Sequence, residues 1–440
     1  MLVKMSLSIK TLVGIGLTSL RHNFKLQRFC SCRQLSSSSF RKFSSSKESG
    51  GTGSKKGEEV GEEDVNKIFE ESKHEIKGQP RVFSGIQPTG EIHLGNYFGA
   101  IRQWVRFQDE KKAGKYEQCI YSVVDLHAIT IPQDRDVLEK NIFQAVATLL
   151  ACGIDPNESI LFLQSHVPLH PQLSWVLGCL STMPQLGRLP NFRDKSKKLK
   201  EVPLGLYTYP VLQAADILLY NATHVPVGED NVQQIQFAQL LAQRFNRIHG
   251  RTFNIPKIML EGGMWCRLRS LRKPENKMSK SEPDAKSRIG LTDSPDEIVE
   301  KIKKSVTDFT SAVTYDPETR PGVSNLIMIH SLCSGQSAEE ICNSVQDLDT
   351  GKYKFVVAEA VVEHLRPIRT KMIELMKEPA YLLDILKIGT EKAITLSEPV
   401  WNDVCFKVGI SPSHSWLSKS RPDSNDSHVE QQSGIKSASL

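Results

Sequence analysis

The chain has 440 residues, 39% of them hydrophobic and 24% charged, with a formal net charge of +6. That length can bury a sizeable core and leaves room for two folded domains with tails, and the modest positive charge permits a polyanionic partner without requiring one. Mean hydropathy of −0.31, with no apolar run near the ~20 residues that cross a bilayer, argues against a transmembrane helix.

Residues 1–47 carry nine Lys and Arg, many Ser and no Asp or Glu. That is the composition of an organelle transit peptide. Thr11 to Leu20 could instead be the apolar region of a secretory signal, but the Arg and Ser that continue beyond it favour mitochondrial import, and a matrix location is expected. Gly50 to Glu71 is polar and acidic, a solvated linker. Residues 1–79 are therefore read as transit peptide and disordered linker.

Arg81 to Ile86 has the short apolar pattern of a strand, and Gln87-Pro88-Thr89-Gly90 has turn chemistry. From Glu91 the period becomes helical, with Leu94, Tyr97, Phe98, Ile101, Trp104 and Val105 on one face. His93 and Asn96 look exposed at that helix start. A strand that turns through Gly into a helix start gathers unpaired N–H groups and the positive dipole end, which suits an anion.

Gln118 to Asp125 reads as a buried strand and is followed by a helix from about Asp134 to Gly153. Ser159 to Val167 is a third strand, with helices rich in Leu and Trp after it. Gln185 to Val202 is basic and irregular. Leu204 to Tyr220 resumes as helix, Thr223 to Val227 is a short strand and Asn231 to His249 an amphipathic helix. Alternating strands and helices predict an α/β fold, a Rossmann-like doubly wound parallel sheet, with ligands at the carboxyl ends of its strands.

Gly262 to Pro283 is loop-like. From Ser294 the composition turns helical, and Ser294-Pro295-Asp296-Glu297 is a capping box with Pro at the first helical position. A boundary near Lys286 divides a catalytic domain with a helical insertion, 80–285, from an all-helical C-terminal domain, 286–412, built from Ala338 to Leu348, Tyr353 to Glu378 and Pro379 to about Gly409. Residues 413–440 read as a disordered tail. The nine cysteines include no C-x-x-C pair. Cys119, Cys152, Cys179 and Cys405 sit in apolar stretches, so reduced, buried thiols are expected rather than disulfides or zinc ligands.

His93-Leu94-Gly95-Asn96 and Lys277-Met278-Ser279-Lys280-Ser281 together resemble the two signatures of class I aminoacyl-tRNA synthetases. GIQPTGEIHLGNYFGAI (85–101), LHAIT (126–130), YPVLQAADILLYN (209–221), VPVGED (225–230) and NKMSKSEPD (276–284) are similar to the tryptophanyl-tRNA synthetase family in its bacterial and mitochondrial form. Taken alone, His93 is better explained as a solvated helix-end residue and the lysines as a basic surface. The conjunction of motifs is what gives them a catalytic meaning.

The resemblance implies a homodimer acting on tryptophan, ATP and tRNA(Trp), with Mg²⁺ carried on the ATP, no protein metal site and anticodon contacts from the helical domain. It makes His93, Lys277 and Lys280 catalytic. Gln87, Pro88, Thr89, Gly95, Asn96, Gly228, Glu229, Asp230, Leu268, Met278, Ser279 and Ser281 join the two lysines around ATP, and Arg193 and Lys195 reach toward its phosphates. Lysines on a mobile loop can meet the charge that builds on departing pyrophosphate, and they contribute most in the transition state.

Asp216 lies among apolar residues, where a carboxylate needs a partner, such as a helix cap or a distant Arg. The resemblance makes it instead the acceptor for the indole N–H of tryptophan, with Tyr209 and Phe83 as pocket walls. Gln213 stands where many relatives have Met, and Asn231 where Gln is usual, so the contacts around the substrate should differ without loss of activity. Tyrosyl-tRNA synthetase, a non-catalytic RNA-binding derivative of a synthetase and a small-molecule nucleotidyltransferase are the rival functions.

Overall fold

The computed structural model of the protein describes residues 78–189, 200–260, 268–280 and 282–411. The expected transit peptide, linker and tail, and with them Arg193, Lys195 and Ser281, lie outside the described residues. In chain order the first half runs β1 (Arg81–Ile86), α1 (Leu94–Asn96), a π turn (Tyr97–Ile101), α2 (Arg102–Lys112), β2 (Gln118–Val123), α3 (Asp125–Ala128), α4 (Arg135–Ala151) and β3 (Ile160–Leu163). It continues through α5 (Leu169–Leu180), α6 (Met183–Arg188), α7 (Leu204–Leu218), β4 (His224–Val227), α8 (Val232–His249) and β5 (Lys257–Leu260). Among the described residues five α-helices follow: α9 (Pro295–Lys303), α10 (Pro321–Ser334), α11 (Ala338–Ser344), α12 (Thr350–Leu375) and α13 (Pro379–Val408).

The five strands form one parallel sheet in the order β3-β2-β1-β4-β5. Successive strands step outward from β1 in one direction and then return to its other side, so the order reverses between β1 and β4. In such sheets that reversal opens a crevice beyond the strand ends. Alternation along β1 sends Val82 to one apolar core and Phe83 to the other, the two-sided burial that parallel sheets require. Edge strand β5 falls on a four-residue run, Lys257–Leu260, too short to stand out from the loop that follows it.

Local signals explain most boundaries. Ser294 and Glu297 form the expected capping box of α9, Asp134 caps α4 by accepting from the Val137 N–H, and Gly409 ends α13 in the left-handed conformation. Gly90, in the turn after β1, has φ of +111°, open to glycine at no steric cost. The helix does not begin at Glu91, where the period changes, but at Leu94. Tertiary pairing delays it: the Leu94 N–H donates to the Ile289 carbonyl and the Leu291 N–H to that of Ile92, both at 2.9 Å.

Only helices follow the composition change near Lys286 among the described residues, and all the described residues fall in one compact unit. The reason lies in α13. Its first turns bring Leu382, Ile385 and Leu386 into one core, and its later turns bring Ala393, Val400 and Val404 into the other. Between them Gly389 crosses edge strand β3, where a Cβ would lie 1.8 Å from the Leu161 carbonyl oxygen. Only glycine allows that approach, and the helix covers an edge that would otherwise be free to pair with another strand. All six cysteines among the described residues are free, and Cys179 is exposed rather than buried as its apolar neighbours suggested.

Candidate active site

A cleft of about 500 Å³ opens beyond the carboxyl ends of β1 and β4, at the start of α1. Of the sequence-predicted residues, Phe83, Gln87, Thr89, His93, Gly95, Asn96, Tyr209, Asp216, Gly228 and Asp230 line it, as do Leu268, Lys277, Met278, Ser279 and Lys280 from the loop after β5. Pro88 and Glu229 are not among the lining residues: Pro88 is buried in the turn, and Glu229 is exposed. The two signature segments, far apart in sequence, thus share one cavity.

His93 is only 3% exposed, which corrects the expectation of a solvated side chain. It caps α1: its Nδ1 accepts from the Gly95 N–H at 3.1 Å, and the Asn96 amide oxygen returns to the His93 N–H. A backbone N–H can only donate, so the proton of the neutral ring must sit on Nε2. Burial, reinforced by Lys280, Arg288 and Lys277, pulls the His93 pKa down to about 3. The imidazole is therefore a neutral donor throughout the physiological range. A Cβ on Gly95 would lie 2.9 Å from the His93 ring, so this position keeps the imidazole where it is.

The loop carrying Lys277 to Lys280 is anchored at its base. The Met278 N–H donates to the Leu268 carbonyl and that of Ser270 to Asn276, both at 2.9 Å, and Met278 is buried. Lys277 stays exposed, 3.7 Å from the Asp230 carboxylate, a pair that contributes little and can exchange for phosphate. Lys280 reaches back to the Gly90 carbonyl at 3.3 Å. Burial, helped by Arg288 and opposed by Glu91, lowers its pKa to about 8. With Arg288 nearby, the site offers several cations and a neutral His, a set suited to polyphosphate.

The other end of the cleft is built on Asp216, 2% exposed in the interior of α7. Three side chains donate to it. His127 Nε2 lies 2.7 Å from Oδ2, His170 Nδ1 lies 2.6 Å from Oδ1, and the Gln164 amide donates to Oδ1 at 2.7 Å. Gln164 is oriented by the Leu126 N–H, which donates to its Oε1 at 3.2 Å. Burial alone would raise the Asp216 pKa, but the hydrogen bonds and charge of His127 and His170 outweigh it and hold the carboxyl well below the usual range. The result is an ionised acceptor at the cleft wall, with Phe83 and Tyr209 beside it.

Sequence reasoning missed His127, Gln164 and His170 as a group. LHAIT marked the first, but the partners of Asp216 lie 89, 52 and 46 residues away, and no spacing rule connects them. It also missed Gln234, whose amide donates to the Tyr209 hydroxyl at 2.8 Å beside Gln213 and Asn231 on the cleft wall.

The family described as tRNA synthetases class I (W and Y) matches residues 75–366. This chain belongs to that family. Tryptophan–tRNA ligase of Clostridium acetobutylicum is 44% identical over 331 residues, 75% of this chain and 96% of the relative. The enzyme of Bacillus anthracis is 45% identical over 326 residues, 74% and 94% of the two chains. Among solved structures, tryptophanyl-tRNA synthetase of Campylobacter jejuni complexed with ADP and tryptophan superposes with a TM-score of 0.66 at 32% identity, covering 75% of this chain and 99% of that one. A Mycoplasma pneumoniae structure gives 0.68 at 28% identity, covering 76% and 99%. In this chain the parallel sheet and the loop after β5 bring both signature segments to one cleft.

The Lys280 pKa sets a pH dependence. A lysine whose pKa is lowered is charged below that value and loses its charge as pH rises through it. The kcat/KM for the nucleotide should therefore fall as pH rises through about 8, and Lys280→Arg should remove that limb. A limb unchanged in Lys280→Arg would assign it to another group.

Proposed function

We propose that this chain is a tryptophan–tRNA ligase. The observation that carries it is the pairing, in one cleft, of cations around a helix start with a buried, ionised acceptor. The first suits ATP and the second an indole N–H, and the relatives named as tryptophan–tRNA ligases span nearly their whole length on this chain.

In the first step the tryptophan carboxylate attacks the α-phosphorus of ATP. An oxygen–phosphorus bond forms to give tryptophanyl-adenylate, and the bond to the bridging oxygen breaks to release pyrophosphate. Charge grows on the leaving group, where Lys277, Lys280 and the Nε2–H of His93 can meet it. In the second step a terminal ribose hydroxyl of tRNA(Trp) attacks the adenylate carbonyl and AMP departs. Mg²⁺ would enter bound to ATP phosphates, and the residues present fit that role, since the phosphate end supplies cations rather than a carboxylate cage.

Three further parts of the proposal rest on other features. A homodimer is supported by apolar side chains exposed on the packed helices α5, α6 and α7, namely Trp175, Met183 and Leu204 at 78%, 68% and 73% exposure. Anticodon contacts would come from the C-terminal helices. Mitochondrial import is supported by the basic, acid-free composition of residues 1–47.

The purified protein should catalyse ATP–pyrophosphate exchange with tryptophan, and tyrosine should support less than about one-hundredth of that rate because it cannot place an N–H on Asp216. Exchange with tyrosine and none with tryptophan would overturn the assignment. Residues 1–60 fused to a reporter should direct it to mitochondria, whereas a secreted reporter would refute the address.

A further inference from the structure

His170 is fully buried and lies behind the cleft wall, with both ring nitrogens engaged. Nδ1 is 2.6 Å from Asp216 Oδ1 and Nε2 is 2.8 Å from the Tyr220 hydroxyl. Its ring also packs on Phe162, at a centroid distance of 5.8 Å. An ionised carboxylate only accepts, so Nδ1 must carry a proton. Nε2 meets the Tyr220 hydroxyl, which completes a hydrogen-bonded chain from Tyr220 through His170 to Asp216.

The distribution of partners on Asp216 is uneven. Oδ1 accepts from both Gln164 and His170, which occupies its two lone-pair directions, whereas Oδ2 accepts from His127 alone. His127 and Asp216 line the cleft. One lone pair on Oδ2 is therefore left for a ligand on the cleft side. We infer that His170, held by Tyr220, is a positioning residue for substrate selection: by saturating Oδ1 it turns Oδ2 toward the cleft and keeps the carboxylate ionised for an N–H donor.

The inference rests on tryptophan being the amino acid that binds here. The titratable groups facing Asp216 are His127 from α3, His170 from α5 and, through His170, Tyr220. Tyr209, on α7 itself, meets the His127 ring edge-on. With His170's donor removed, less offsets the effect of burial, and the Asp216 pKa rises. The ionised form exists above that raised value, so tryptophan recognition is then lost as pH falls through it.

Two polar substitutions of similar size separate positioning from packing. His170→Asn places its amide nitrogen near the position of Nδ1 and can still donate to Asp216. His170→Gln reaches the position of Nε2 and serves Tyr220, leaving Oδ1 one donor short. Exchange by the wild-type chain is measured first: no tryptophan-dependent exchange would remove the underlying assignment.

Given exchange, His170→Asn should keep the tryptophan KM within about threefold of wild type and its kcat/KM flat between about pH 7 and 6, below the Lys280 limb. His170→Gln should raise that KM about 10- to 100-fold, with kcat/KM falling toward the acid side, and both should leave the ATP KM within about twofold. Equal effects of the two variants, or parallel changes in both substrates' KM, would overturn the positioning role while leaving the enzyme assignment intact. Should His170→Gln fail to fold, an acid limb in His170→Asn would by itself contradict the inference, and a flat profile with an unchanged KM would support it.

Discussion

A carboxylate buried in a protein interior must either lose its charge or be held by donors. Asp216 takes the second course, and much of the amino-acid end of the cleft is arranged to allow it. Its donors come from α3, from the turn after β3 and from α5, so strands β2 and β3 must end in register for the carboxylate to be satisfied. The proposed selection of the amino acid is thus tied to the sheet itself. The cost of leaving such an acceptor unpaired lets a pocket reject a side chain of similar shape but lacking an N–H.

The nucleotide end follows a different logic. Its cations are exposed or half-buried and weakly paired, and its histidine is neutral. In the proposed role Lys277 gives up only a loose contact with Asp230 to meet a phosphate, so little is lost on binding. His93 is fixed by its own helix cap and by Gly95, and it remains a donor whatever the pH. One end of the cleft is preorganised by burial; the other is held in reserve on an anchored loop, which suits charge that appears only as pyrophosphate departs.

How much of this was legible in the sequence depended on the range of the forces involved. The strand Arg81–Ile86, the capping box at Ser294 and the glycine stop at Gly409 rest on neighbours a few residues apart, and they stood where periodicity and capping chemistry placed them. The nucleotide motifs were legible because each is contiguous. The burial of His93 was not, since it depends on the pairing of residues 92–94 with 289–291. Nor was the donor set of Asp216, gathered from three distant segments, or the passage of Gly389 across β3, which joins the C-terminal helices to the sheet. Only Asp216 itself announced the network, as an acidic residue in an apolar run.

The central claim is that an ionised Asp216 selects tryptophan through its indole N–H. Its most direct test is the affinity of the amino acid whose side chain carries a benzothiophene, with sulfur in place of the N–H and nearly the same shape. Measured by calorimetry beside tryptophan, it should bind about 100-fold more weakly, in keeping with an unpaired buried acceptor. Equal affinity would contradict the account.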